Sequence, residues 1–352
     1  MSAETNSGIP QRRQEGSRKR VKPTIIDVAA AAGVSKSTVS RVIQKDPRVA
    51  DQTREAVQKA ITELGYIPAF SAQLMRSEPA PTIGLFSSSI DIPIFAQLNR
   101  YLHEGLTAQG FYVIQQTIVH PSREDTEDVM KNLARMPIQG MVVSVGGADS
   151  ELLRKFADRL PLVVMGRPEP TGQLNAVGFD ETHNARLIID HLIELGHERI
   201  MLQDAPKDRS MGTWSRVQAQ KEYAEAKGLQ LCCEDTFGMH GSELQAWVER
   251  TINRGFTAIV SLFDRKAIEV IRAANSLGFN VPEDVSVTGS DGVLDGLDLI
   301  GLTTIRKPVD LVGRRSAQSI VALVKSPELP AAPVRELYQG ELVVGSTTSS
   351  PS

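Results

Sequence analysis

Three stretches of helical spacing open the chain, and a long alternation of β-rich and helix-length runs follows them. Apolar positions recur every three to four residues at Ile26, Ala29, Ala30 and Gly33, then at Val39, Val42 and Ile43. Thr24 is a good N-cap for the first run, Gly33 marks its end, and Ser35 restarts the chain as the cap of the second. A third helix is predicted from about Asp51 to Leu64, with Ala56, Val57, Ala60, Ile61 and Leu64 as its apolar stripe. From Thr82 the pattern changes. TIGLFS, YVIQQTI, GMVVSV and LVVM read as short strands separated by helix-length segments, and the alternation repeats with RIMLQD, AIVSL and VSVTGS. Two such sets predict two parallel sheets flanked by helices, facing each other across a cleft with ligand groups at the carboxyl ends of the strands.

The second run keeps Lys36, Ser37, Ser40 and Arg41 on its polar face. One reading of that face is a solvated surface hairpin. The other is a helix in a DNA major groove, its first residues at base edges and its hydroxyls and cations at phosphates. The third helix favours DNA, because it supplies a core that leaves the Lys36 to Arg41 helix free to protrude. The runs IIDVAAAAGVSKSTVSRVI, TREAVQKAITELGYIP and AQLMR resemble, in order and spacing, the N-terminal signature of the LacI/GalR family of bacterial transcriptional repressors. FAQLNRYLHEGLTAQGF, HLIELGHERI, VPEDVSVTGSD, LTTIRKPV and LVVGST extend the resemblance over nearly everything after residue 23. On this reading Lys36, Ser37 and Arg41 set base preference, while Thr24, Ser35, Thr38 and Ser40 help hold phosphates. The resemblance also implies a hinge that folds on DNA, pairs with its copy in a second protomer and wedges an apolar side chain into the minor groove. Met75 stands at the matching position, with Leu74 beside it. An ordinary interdomain linker is the alternative for this segment.

Charge divides along the chain in the same sense. Residues 1–78 hold 13 Lys and Arg against 8 Asp and Glu, net +5, which leaves 26 against 34 of the chain's 39 and 42 for the remainder, net −8. A basic front end on an acidic body suits a DNA reader with a separate sensor. The tail with Arg12, Arg13, Arg18, Lys19, Arg20 and Lys22 reads either as a solvated extension or as a nonspecific DNA contact.

Chemistry in the body is expected at the strand ends. Phe95 follows the first strand and can stack on a ring or an apolar sugar face. Ser144 and Arg167 end two later strands, and Arg216, Asp264 and Asp291 take corresponding places in the second set. A carboxylate accepts two hydroxyls and Arg donates a rigid fork, which together suit a polyol or similar polar ligand; singly, each residue is more often a cap or an ion-pair partner. The resemblance implies effector contact for Arg216, Asp264 and Asp291. It also marks departures: Phe263 replaces an asparagine, Ser290 an aromatic and Gly166 an aspartate, and Ala219 and Gln220 stand where a glycine and an aromatic are usual. No relative's effector is therefore transferred.

Enzyme and cofactor readings find little: there is no GxGxxG after a strand and no GxxxxGK[ST], and Gly146-Gly147 is an isolated pair at a strand end. His191 and His197 read as surface or helix-end residues, and the adjacent Cys232 and Cys233 as reduced, incidental thiols. No cofactor or metal is expected. No apolar run approaches the roughly 20 residues that span a bilayer, and the first twenty residues lack a signal-peptide core, so the chain is expected in the cytoplasm. The expected fold is an N-terminal all-α helix-turn-helix head plus an α/β two-lobed, periplasmic-binding-protein-like (type I) sensor with parallel sheets. The expected divisions are a basic flexible tail (1–22), the helix-turn-helix domain (23–67), a hinge helix and linker (68–81), and an effector-binding and dimerisation domain (82–352). Its first lobe spans about 82–179 and 308–336, its second about 180–307 and 337–350. The expected function is repression from a near-palindromic double-stranded operator by a homodimer, switched by a small-molecule effector in the cleft. Closing LVVGSTTSSPS without leucine heptads argues against a coiled-coil tetramer. A co-repressor ligand or a protein partner in place of an inducing sugar is the alternative.

Overall fold

The computed structural model describes residues 23–43, 46–66, 80–88, 92–118, 123–326 and 332–351. They form two compact units, one ending at Pro79 and the other beginning at Ala80. The basic tail, Leu74 and Met75 lie outside the described residues.

In the first unit, helices α1 (Ile25–Ala31), α2 (Lys36–Ile43) and α3 (Asp51–Leu64) close on Val28, Ala29, Val39, Val42, Val57, Ala60 and Tyr66. Thr24 caps α1 in a full capping box, its backbone N–H donating to the Asp27 carboxylate at 2.7 Å. Gly33 turns the chain at φ 67°, and the Ser35 hydroxyl accepts from the Thr38 N–H at 3.1 Å to start α2. The stripe of α1 differs from the one read by spacing. Ile26 is 64% exposed and Ala30 is exposed, whereas Ile25, Val28, Ala29 and Ala32 face the core. Both sets obey helical spacing, and the cap at Thr24 fixes the rotation that turns Val28 inward. Ala56 and Leu64 of α3 are likewise exposed.

In the second unit, one lobe is built on a parallel sheet ordered β11-β5-β4-β3-β1-β2. Its strands are β1 (Thr82–Ser88), β2 (Tyr112–Ile118), β3 (Gly140–Ser144), β4 (Leu162–Met165), β5 (Asn175–Phe179) and β11 (Arg335–Tyr338). Helices α4 (Pro93–Thr107) and α12 (Val309–Lys325) cover one face through Leu98, Leu102, Val312 and Ile320. Helices α5 (Arg123–Ala134) and α6 (Ser150–Ala157) cover the other through Met130, Leu133 and Leu153. Strands sandwiched on both faces need continuous apolar runs, as in Met141, Val142 and Val143.

The other lobe carries a parallel sheet of β7 (Gln230–Asp235), β6 (Arg199–Asp204), β8 (Ala258–Val260) and β9 (Ser286–Thr288), in that order. Helices α7 (Glu181–Glu194) and α8 (Met211–Ala226) pack on one face around Ile188, Leu192 and Ala224. Helices α9 (Gly241–Asn253) and α10 (Asp264–Ser276) pack on the other around Trp247 and Val270. The short α11 (Leu297–Ile300) precedes an antiparallel pair, β10 (Thr304–Arg306) with β12 (Glu341–Val343).

The chain passes between the lobes after β5, after β10 and after β11. Leu337 and Tyr338 still pair with Gly178 and Phe179, so the first lobe runs two residues beyond the 336 boundary read from the sequence. Strands β5, β7, β10, β11 and β12 escape the hydrophobic pattern. They are short or sit at sheet edges, and NAVGF and QLCCED carry polar residues that mask the strand.

Candidate functional site

On the head, α2 presents Lys36, Ser37 and Arg41 to solvent, with Thr38 and Ser40 half-buried behind them. The Ser35 hydroxyl meets those of Ser37 at 2.7 Å and Thr38 at 2.8 Å, forming a hydroxyl cluster at the helix start. Thr24 is exposed at the start of α1. The opposite face of α2 buries Val39 and Val42, so the polar face projects from a fixed base. Hydroxyls and cations at a helix N-terminus can engage phosphate and base edges.

In the two-lobed unit the strand ends converge on a cleft of about 430 Å³. Its floor is a cluster of buried charges. Glu181 opens α7 just after the first crossing and Lys307 lies in the second; Lys307 Nζ donates to Glu181 Oε1 at 2.7 Å, which ties two crossing segments together. Lys307 also lies 3.7 Å from Asp291 Oδ1. Arg216 stands 3.6 Å from both Glu181 and Asp291, and its Nη1 donates to the Leu262 carbonyl. Asp264 accepts from the Thr304 hydroxyl at 2.5 Å and from the Gly292 N–H at 2.7 Å. Burial opposes ionisation of Glu181, but Lys307 and Arg216 outweigh it and hold the carboxyl below its usual range. Burial wins at Asp291, whose carboxyl rises to about 6 despite Arg216 and Lys307. It also raises Asp264 and lowers Lys307. Apolar side chains line the walls: Ile92, Ile94 and Phe95, with Val293 packed on the same core as Phe95, and Phe237 and Phe263 from a separate cluster. A floor of paired charges under apolar walls can grip hydroxyls while excluding water.

The lobes also touch. Gly146 after β3 accepts from the Met211 N–H at the start of α8 at 2.8 Å. A Cβ on Gly146 would approach Ser210 Cα at 3.0 Å, and one on Gly147 would approach the Asp208 carbonyl oxygen at 2.8 Å. The backbones therefore meet only because this pair carries no side chains. Arg167 Nη2 donates to the Ala148 carbonyl at 2.5 Å and steadies the same loop. Gly166 has φ 83°, a backbone conformation strained for any residue with a side chain.

Of the residues expected from the sequence, Phe95, Arg167, Arg216, Asp264 and Asp291 line this cleft, while Ser144 is buried one residue short of the wall formed by Val145 and Gly146. Glu181, Lys307 and Lys266 were not singled out. Lys307 had a signal, a lysine between a strand and Pro308; Glu181 and Lys266 read as ordinary helix residues. His197 is not a surface residue: it is 1% exposed, and its ring meets Thr257, Ser286 and the Ser349 carbonyl, clasping the C-terminal segment. Burial pushes the Cys233 thiol up to about 12, which silences it as a nucleophile. Among the described residues no His, Cys, Asp and Glu cluster could hold a metal, and no helix is long and apolar enough to cross a membrane.

A capped helix-turn-helix unit followed by a two-lobed, parallel-sheet unit around a polar cleft defines the class of ligand-responsive DNA-binding regulators. Residues 24–69 match the bacterial regulatory proteins of the lacI family, and residues 189–348 match a periplasmic binding protein-like domain. The regulator reg1 of Streptomyces lividans is 31% identical over 93% of this chain and 97% of its own length. MalR of Streptomyces coelicolor is 32% identical over the same shares. The structure superposes on the lac repressor dimer bound to operator and the anti-inducer ONPF with a TM-score of 0.78, at 26% identity over 94% of this chain and 100% of that one. It is also similar to the CelR–cellobiose complex, with a TM-score of 0.65 at 28% identity over 92% and 99% of the two chains. The chain belongs to the LacI family and is a DNA-binding transcriptional regulator. These relatives are regulators of transcription rather than enzymes.

Proposed function

We propose that this protein is a cytoplasmic repressor that binds a near-palindromic operator as a homodimer and is switched by a small polar metabolite in the interlobe cleft. Lys36, Ser37 and Arg41 read bases, Thr24, Ser35, Thr38 and Ser40 hold phosphates, and Met75 in the hinge at 68–81 wedges a deformable central step. The residues from 82 onward sense the effector and dimerise; the tail before residue 23 contacts DNA without specificity. Phe95, Arg167, Arg216, Asp264 and Asp291 serve the effector directly, and Ser144 supports the strand end behind them. The protein has no catalytic role and takes no cofactor.

The observation that carries this reading is the buried Arg216, Asp291, Lys307 and Glu181 cluster, which forms the floor of a ligand-sized cleft in a chain with a capped helix-turn-helix head. Buried charge is expensive, and a site that retains it beside apolar walls is suited to recognition. The solved relatives carry an anti-inducer on a lac repressor dimer and cellobiose on CelR, which supports a small molecule over a protein partner. Thermal unfolding against pentoses, hexoses, sugar acids, nucleosides and nucleobases tests it. A ligand at 100 times its Kd adds about 2.7 kcal/mol of stability. The expected result is at least one hit that disappears in both Arg216→Ala and Asp291→Ala; a hit untouched by both variants places the effector elsewhere.

A further inference from the structure

Charge is not evenly matched along the cleft. On the floor, Arg216 and Lys307 face Glu181 and Asp291, two cations against two carboxylates. Among the described residues, the other charged groups lining the cleft are Arg167, Arg209, Arg265 and Lys266 against Asp264 and Glu269. That leaves an excess of two positive charges inside a stretch of chain, residues 79–352, whose net charge is −8. The carboxylates are already engaged. Asp264 is taken by Thr304 and Gly292, and Glu269 is shared by Lys266 at 2.9 Å and His240 at 3.1 Å.

The cations have less company. Arg209 and Arg265 are exposed at the mouth, and neither forms an ion pair among the described residues. Lys266 is 1% exposed yet lines the cleft, held by the Met239 carbonyl and Glu269. Arg167 is 3% exposed, has Nε and Nη1 without hydrogen-bond partners, and feels the carboxylates of Glu169 and Asp149 without a close ion pair to either. A positive mouth in an acidic body focuses its field on incoming anions, and Arg forks match the geometry of phosphate and carboxylate.

We propose that the effector is an anionic polyol, bearing a phosphate or a carboxylate that Arg209 and Arg265 hold at the cleft mouth while its hydroxyls meet Arg216 and Asp291 on the floor. The assignment rests on the cleft being the effector site and adds the charge of what enters it.

Calorimetry and thermal unfolding of the full chain at constant ionic strength test it, with inorganic phosphate, glucose, glucose 6-phosphate and gluconate as ligands. Glucose 6-phosphate and gluconate separate phosphate from carboxylate as the favoured group. The expected result is saturable binding of a charged compound at least about tenfold tighter than glucose, weakened about tenfold or more in the double variant Arg209→Gln with Arg265→Gln, since a lost charge-assisted hydrogen bond costs about 1.5–3 kcal/mol. Both arginines are exposed, so this variant folds. Glucose binding as tightly as its charged counterparts, lost in Arg216→Ala but not in the double variant, overturns the anion assignment and leaves the cleft as effector site. No saturable anion binding by any compound also overturns it. Anion binding that survives both sets of substitutions lies outside the cleft and overturns both readings.

Discussion

Asp291 sits at φ 149°, a conformation that side chains other than glycine rarely adopt, and its backbone is fixed on both sides by Ile305 and Lys307. The strain places its carboxylate against Arg216 and Lys307 at the cleft floor. Burial holds its folded-state pKa at about 6, above the ordinary aspartate value of 3.8. The folded protein therefore binds this proton more tightly than the unfolded chain. The resulting stability is complete below about pH 3.8 and is lost as pH rises through about 6. Urea unfolding from pH 7 to pH 5 should favour the wild type over Asp291→Asn by about 1 kcal/mol. A difference that stays flat with pH contradicts the raised pKa. Over the same range a ligand hydroxyl loses its carboxylate acceptor, so effector affinity should fall in the wild type and not in the variant. Asp291 and Asp264 were legible because they follow β9 and β8, and strand ends are where open α/β sheets place ligand groups. Arg216, read from the sequence at a strand end, lies instead within α8 and was reached through the family resemblance. Glu181 and Lys307 were not legible, since their pairing depends on two chain crossings that lie 126 residues apart.

Elements were legible where their period was strong. Helix α3 runs from Asp51 to Leu64 as its stripe and its glycine stop require, and β1, β3 and β4 follow their continuous apolar runs. Strands β10 and β12 have three residues each, too few to show a period, and they exist because tertiary pairing holds them. The Gly146-Gly147 pair had no function by sequence alone and acquires one where the loop after β3 meets the start of α8. Gly147→Ala should force a Cβ onto the Asp208 carbonyl and prop the lobes apart. The expected outcome is a larger radius of gyration by small-angle scattering and a stability loss of about 1–3 kcal/mol, the usual cost of overpacking. Unchanged scattering and stability mean that the lobes meet without this contact.

At the scale of the whole molecule, two separable tasks are written in two charge regimes, a basic front end of net +5 and an acidic remainder of net −8. The head has a core of its own, from Val28 to Tyr66, on which α2 packs. The sensor's bistability would come from its two lobes, and a coupling of about 1–3 kcal/mol between cleft and head is enough for a switch. The proposed phosphate contacts of the head predict binding that weakens steeply with salt. The most direct test is selection by the full chain from a library of random duplexes, followed by sequencing, for wild type and Lys36→Ala. The account predicts enrichment of an inverted repeat whose half-site base preference shifts in Lys36→Ala. Failure of the wild type to enrich any repeat would contradict it.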